Sequence, residues 1–203
     1  MSSLRNSAPP QGTAPGSPDE AILTAARESV LQVGVRRTTA TEVARRAGIS
    51  RMTLYRRFGD VEHLIVTLLT REVEELLTGL ATQTTELASA RERLVATAVL
   101  GVEQFAADPL LVRIIDLDPE MLLPYLLDRT GASHHATRGV LGALLADGHA
   151  DGSIRPLDDH AASWVLVLIL QAFVFGARLL ASEADPAAVR AELHRLLDGY
   201  LRP

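Results

Sequence analysis

Between Thr39 and Phe58 the chain places two short helices on either side of a glycine, and this segment constrains the molecule more than any other. Thr39-x-x-Glu42 has the spacing of a capping box, so a helix is predicted to start there. Val43, Ala44 and Ala47 give it a small apolar face, and Gly48 breaks it. Small residues matter here because two helices crossing through a tight turn need close backbone approach. Ser50 is the next cap, Arg51 to Phe58 the second helix, and Gly59 its stop. From Arg36 to Arg57 there are seven arginines against one acid, Glu42, a local charge of +6 on a chain whose net charge is −5. A basic island shaped as helix-turn-helix points to phosphate binding and the reading of DNA bases.

The rest of the sequence predicts an all-α protein. Ala and Leu carry the apolar count, not sheet formers. Ser17, Pro18 and Glu20 form a start signal for a first helix whose apolar face ends at Gly34. Asp60 caps a long helix with apolar residues at three- and four-residue steps as far as Leu80. A helix over about residues 88–107 follows, then short pieces around Pro109, Pro119 and Pro124. Ser133 is read as the cap of a helix reaching Ala146, and Asp147-Gly148 and Asp151-Gly152 as a turn-rich loop. A very apolar helix opens at Asp158 or Asp159, and Asp185-Pro186 caps the last one. The expectation is a three-helix head plus a C-terminal helical bundle, about nine helices in total. Residues 1–16, rich in Ser, Pro, Gly and Ala, read as a disordered tail, 17–60 as the head, and 61–203 as the ligand-binding and dimerisation domain.

Other chemistry is poorly supported. The chain has no Cys, which excludes disulfides, thiol catalysis and Cys-based zinc sites. No phosphate loop, nucleophile elbow or His-Glu-x-x-His motif occurs. His134 and His135 diverge by about 100° on a helix and cannot share a metal. Asp116, Asp118 and Glu120 read as a solvated acidic loop. The uncharged stretch 161–177 is marginal for a membrane span and reads as a helix buried on most sides. No apolar leader is seen near the N-terminus, so a cytoplasmic protein with no enzyme activity, cofactor or metal is expected.

Ala47-Gly48-Ile49-Ser50-x-x-Thr53-Leu54-Tyr55-x-x-Phe58 resembles the signature of the TetR family of transcriptional repressors. Thr38-Thr39, Val43-Ala44 and Leu64 are similar to that family as well. One position departs: where the family carries a Lys that touches a DNA phosphate there is Val61, leaving Arg56 or Arg57 to make that contact. The resemblance implies an obligate homodimer, each subunit with one DNA-reading head and one ligand-binding core. An effector would change the distance between the heads.

On helical phase, Arg51, Met52, Tyr55 and Arg56 leave the outer face of the second short helix if Leu54 and Phe58 point inward. Arg51 can fork onto guanine and Met52 can meet a thymine methyl. Thr53 and Tyr55 carry hydroxyls for phosphates, Thr41 and Arg45 can grip the backbone, and Thr39 orients a helix N-terminus. Arg57 completes the set. For the effector, Trp164, Leu168, Gln171 and Phe175 follow helical steps, with Phe105, Met121 and Tyr125 as candidates to face them. Gln171 in an apolar run needs a partner for its amide, on a neighbouring helix or a ligand. For the dimer, Val165, Ala172 and Gly176 allow close helix approach beside Leu193, Leu197 and Tyr200. The expected function is a ligand-responsive regulator, a repressor in output, that binds a palindromic double-stranded operator as a dimer and is released by a small apolar molecule. The rivals are an all-helical enzyme or carrier with an incidental basic patch, and an architectural DNA-binding protein.

Overall fold

The computed structural model describes residues 17–122 and 131–203; the expected tail at 1–16 and the candidates Pro124 and Tyr125 lie outside them. Nine α-helices make up the described residues, with no strand among them. They are α1 (Pro18–Val33), α2 (Ala40–Arg46), α3 (Arg51–Phe58), α4 (Val61–Gln83), α5 (Ala90–Ala106), α6 (Pro109–Leu117), α7 (Ala132–Ala150), α8 (Asp159–Glu183) and α9 (Pro186–Leu201), with a 3-10 turn at Pro119–Met121.

The expected caps form, with two differences. Ser17, Thr39, Ser50 and Asp60 each accept the N–H three residues on. The reciprocal half of the box is missing in α1 and α2, because Glu20 pairs with Arg71 and Glu42 with Arg45 and Arg46. A guanidinium offers a carboxylate a stronger bond than a single backbone amide does. A full capping box occurs instead at Ser89–Glu92, opening α5.

The start of α7 and the turn after it also differ from expectation. Gly131, not Ser133, is its N-cap, and the helix runs through Asp147-Gly148 to Ala150. Gly148 is a packing residue rather than a turn. A Cβ there would lie 2.3 Å from Ile154 Cδ1, so only a missing side chain lets Ile154 seat against the helix. The turn is Asp151-Gly152 alone, with Gly152 at φ +71°.

Two apolar cores result. One joins α1–α3 and the first half of α4 to α6, through Leu110, Leu111 and Ile114. The head therefore does not end its packing at residue 60; it shares a core with the body. The other lies among α5, α7, α8 and α9 and includes Leu193, Leu197 and Leu201. Each fully buried Leu stabilises by about 1.5–3 kcal/mol relative to exposure.

The burial expected for α8 is not met. It is long and apolar enough to cross a membrane, but only 17% of its most apolar window is buried in the single chain. One row, Ala161, Val165, Leu168, Ala172 and Leu179, faces outward at steps of three, four and seven. The same helix packs against α5 and α7 with its other side.

Candidate functional site

The turn at Gly48 (φ +67°) reverses the chain between α2 and α3, and Leu54 and Phe58 anchor α3 in the core it shares with α2 and α4. Helical phase then leaves Arg51, Met52, Tyr55 and Arg56 on the outside, as the sequence implied, and Met52 is 76% exposed. Thr39, Thr41 and Arg45 are exposed along the start and flank of α2. Thr53 is half-buried, and its hydroxyl pairs with Ser50 Oγ at 2.9 Å. The Arg51 guanidinium lies 5.9 Å from the Tyr55 ring centroid, so the two side chains share one patch.

The charge of this face differs from the sequence count. Arg57 is paired with Asp19, Arg46 with Glu42 and Glu28, and Arg36 with Asp118 and Glu120. Four acids from outside the island thus reach its arginines. Arg45 and Arg46 hold the Glu42 carboxyl down at about 2, against its ordinary 4.5. Among the described residues, Arg37, Arg51 and Arg56 have no carboxylate partner. Arg45 pairs with Glu42 while 69% exposed, and an ion pair that open is worth little and readily exchanges. Of the two arginines expected to stand in for the missing Lys at Val61, Arg56 is the one left free.

Behind the head, a cavity of about 170 Å³ opens between α4, α5, α7 and α8, with Leu111 and Leu122 also in its wall. Phe105, Gln171 and Phe175 line it. Three other candidates do not. Met121 packs into the head-side core, and Leu168 is 55% exposed on the outer row of α8. Trp164 lies beside α7, with the Arg138 guanidinium 4.4 Å from its ring and His135 edge-on at 6.3 Å. On helical phase Trp164 lies within about 20° of Gln171 and Phe175, but it sits about two turns nearer the start of α8, beyond the cavity, while Leu168 falls at the edge of this face and joins the outer row.

Sequence reasoning missed much of the wall. Leu69, Val73, Leu76 and Leu77 of α4 line the cavity, and the apolar row that runs far past the head was their signal. It also missed His134, which sits in the wall with Nε2 2.9 Å from Gln171 Oε1. That contact supplies the partner Gln171 required.

The dimer candidates divide in the same way. Val165 and Ala172 are exposed and Gly176 is half-buried, but Leu193 and Leu197 are at most 2% exposed and belong to the protomer's own core. Tyr200 is half-buried, with Arg155 stacked 4.9 Å over its ring. The outward apolar residue of α9 is Leu196, at 46%.

Residues 22–68 match the family described as bacterial regulatory proteins, tetR family. An HTH-type transcriptional regulator of Mycobacterium tuberculosis (strain H37Rv) is 32% identical over 180 residues, 89% of this chain and 92% of the relative. The chain belongs to the TetR family of transcriptional regulators. Among solved structures, the TetR-family repressor QsdR of R. erythropolis superposes with a TM-score of 0.69 at 19% identity, over 92% of this chain and 96% of QsdR. FadR of Bacillus subtilis, in complex with stearoyl-CoA, gives 0.63 at 18%, over 90% and 98%. At such identities the likeness is one of fold. It extends over head and body together, so the whole described chain of this TetR-family member has the family's all-helical architecture. Its relatives are regulators, not enzymes.

Proposed function

We propose that this TetR-family protein is a one-component repressor in the cytoplasm. As a homodimer it binds a palindromic operator through α3, and it leaves the operator when an apolar small molecule enters the cavity. The observation that carries the reading is the outer face of α3. Arg51, Met52, Tyr55 and Arg56 project together from a helix whose opposite side is fixed by Leu54 and Phe58. That is the arrangement a major-groove reader needs: a rigid inner face, and side chains able to meet guanine, a thymine methyl and phosphate. Residues 17–60 act as the reading head and 61–203 as the effector and dimer body.

The uncovered row of α8, with Leu196 of α9, supports dimerisation. An apolar strip of that length is poorly tolerated in water, and a second copy supplies an identical strip. The cavity supports the effector, being lined almost wholly by carbon and lying between the helix that leaves the head, α4, and the helices of the body. The stearoyl-CoA held by the structurally similar FadR joins a long apolar acyl chain to a charged head, and such a chain is the kind of group this cavity suits. Release follows if the ligand favours the head spacing that does not fit successive major grooves.

The test is selection of duplexes from a random pool by the full-length protein, followed by a salt titration. An inverted repeat bound as a dimer, with affinity falling steeply with salt, is expected. Recovery of unrelated sequences at equal affinity would instead indicate an architectural protein.

A further inference from the structure

Most polar groups of the cavity wall come from α7 and α8; the hydroxyls of Thr70 on α4 and Thr97 on α5 are taken up by the Val66 carbonyl and by Thr84 Oγ1. Ser133, His134 and Thr137 come from the first turns of α7, and Gln171 from the middle of α8. Their hydrogen bonds fix which atoms remain for a ligand. The Thr137 hydroxyl donates to the Ser133 carbonyl at 2.9 Å. His134 Nδ1 accepts the Gly131 N–H at 3.2 Å, which places the imidazole proton on Nε2. Nε2–H in turn donates to Gln171 Oε1 at 2.9 Å. The carbonyl end of the amide is therefore turned to His134, and the NH2 end has no acceptor among the described residues. Gln171 is in this way a donor of fixed orientation in a largely carbon-lined wall. No described residue of that wall carries a formal charge.

We infer that the cavity takes an uncharged acyl group: a hydrocarbon chain bearing an ester, lactone or thioester carbonyl, whose oxygen accepts from Gln171 Nε2, with any charged carrier left outside the mouth. This rests on the reading of the cavity as the effector site and names the chemistry of its occupant. A carbonyl oxygen satisfies the amide at no charge cost, whereas a carboxylate would enter without a cationic partner. A pure hydrocarbon leaves the NH2 group unpaired. A cavity of about 150 Å³ houses benzene. This one, at about 170 Å³ and partly open to solvent, holds a short chain, and longer ones extend through its mouth. His134 is a positioning residue: it keeps the amide from rotating, so Gln171 offers a donor rather than an acceptor.

The experiment is calorimetry on the full-length protein with methyl esters of six to twelve carbons, the matched carboxylates at neutral pH, n-octane and octanoyl-CoA. Operator release is measured in parallel. Esters are expected to bind, and the carboxylates to bind at least about a hundredfold more weakly. Gln171→Met keeps the size of the side chain and removes the donor. It should weaken the esters about three- to tenfold and leave n-octane unchanged. Ester binding without octanoyl-CoA binding marks a free ester or lactone as the source; binding of both marks a carrier-linked acyl group. Equal affinity of acid and ester in the unaltered protein would overturn the carbonyl assignment, as would no loss in a folded Gln171→Met, with the cavity still standing as an effector site. If no probe of any kind binds, the effector reading itself falls.

Discussion

The buried carboxylate of Asp118 accepts the backbone N–H of Val35 at 2.7 Å, so the end of α6 is tied to the loop that leads from α1 into α2. Asp118 was legible only as part of a solvated acidic loop, yet it is 3% exposed. The loop it holds is itself ordered by side chains. Thr38 donates to the Gly34 carbonyl at 2.8 Å and lies 3.2 Å from Ser29 Oγ. Gly34 sits at φ +86°, and a Cβ there would come 2.8 Å from Asp118 Oδ2. The carboxylate thus occupies space that only glycine leaves open. Arg36, close to the same carboxylate, adds Glu120 to the seam.

Removing this tie should loosen the head from the body. Asp118→Ala leaves the Val35 N–H buried and unpaired, at a cost of about 1–3 kcal/mol, measured as a shift of the urea midpoint. Because α6 also contributes Leu111 to the cavity wall, the same variant should bind the operator yet respond less to effector. Operator affinity with and without effector checks the second part; unchanged response in the variant would remove Asp118 from the coupling route.

On α3, Arg51→Ala and Arg56→Ala should fail differently. Loss of a guanine fork costs about 1–3 kcal/mol on the operator and little on scrambled duplex. Loss of a phosphate contact weakens both alike and lowers the salt slope by about one. Binding titrations on both duplexes at several salt concentrations separate the two, and equal behaviour of the two variants would remove the division of roles.

A charge on the outer row of α8 should separate the protomers without unfolding them. Leu168→Glu, at a residue 55% exposed, is expected to give a folded monomer by sedimentation that has lost most of its operator affinity. Truncation before α9 is not an equivalent test. It removes Leu193, Leu197 and Leu201 from the protomer core, so it should unfold the body rather than dissociate a dimer.

Acid sensitivity should map in part to Asp151. Its carboxylate accepts the backbone N–H groups of Ala90 and Ser153, at 2.8 and 2.9 Å, joining the start of α5 to the turn after α7. The Ser153 hydroxyl and these N–H groups hold its carboxyl at about 2, below the ordinary 3.8. A depressed folded-state value means the stabilisation is complete above about pH 4 and is lost as pH falls towards 2. Melting temperatures of the wild type and Asp151→Asn should differ at pH 5 and converge near pH 2; parallel curves would exclude the contribution.

Local features were readable from the sequence because their causes span only a few residues. The caps at Thr39, Ser50 and Asp60, the glycine turn at Gly48, and the two sides of α3 follow from hydrogen bonds over three residues and from a period of 3.6. These settled the all-helical class and the exposed set Arg51, Met52, Tyr55 and Arg56. Tertiary structure decided what depends on residues far apart along the chain. Asp19 reaches Arg57, Asp118 reaches Val35, and His134 reaches Gln171. Helical phase shows that α9 has apolar residues on adjacent rows, but not that Leu193 and Leu197 turn into their own protomer while Leu196 faces out. A helix's period determines which side chains share a face; only the packing of its neighbours determines which face is covered.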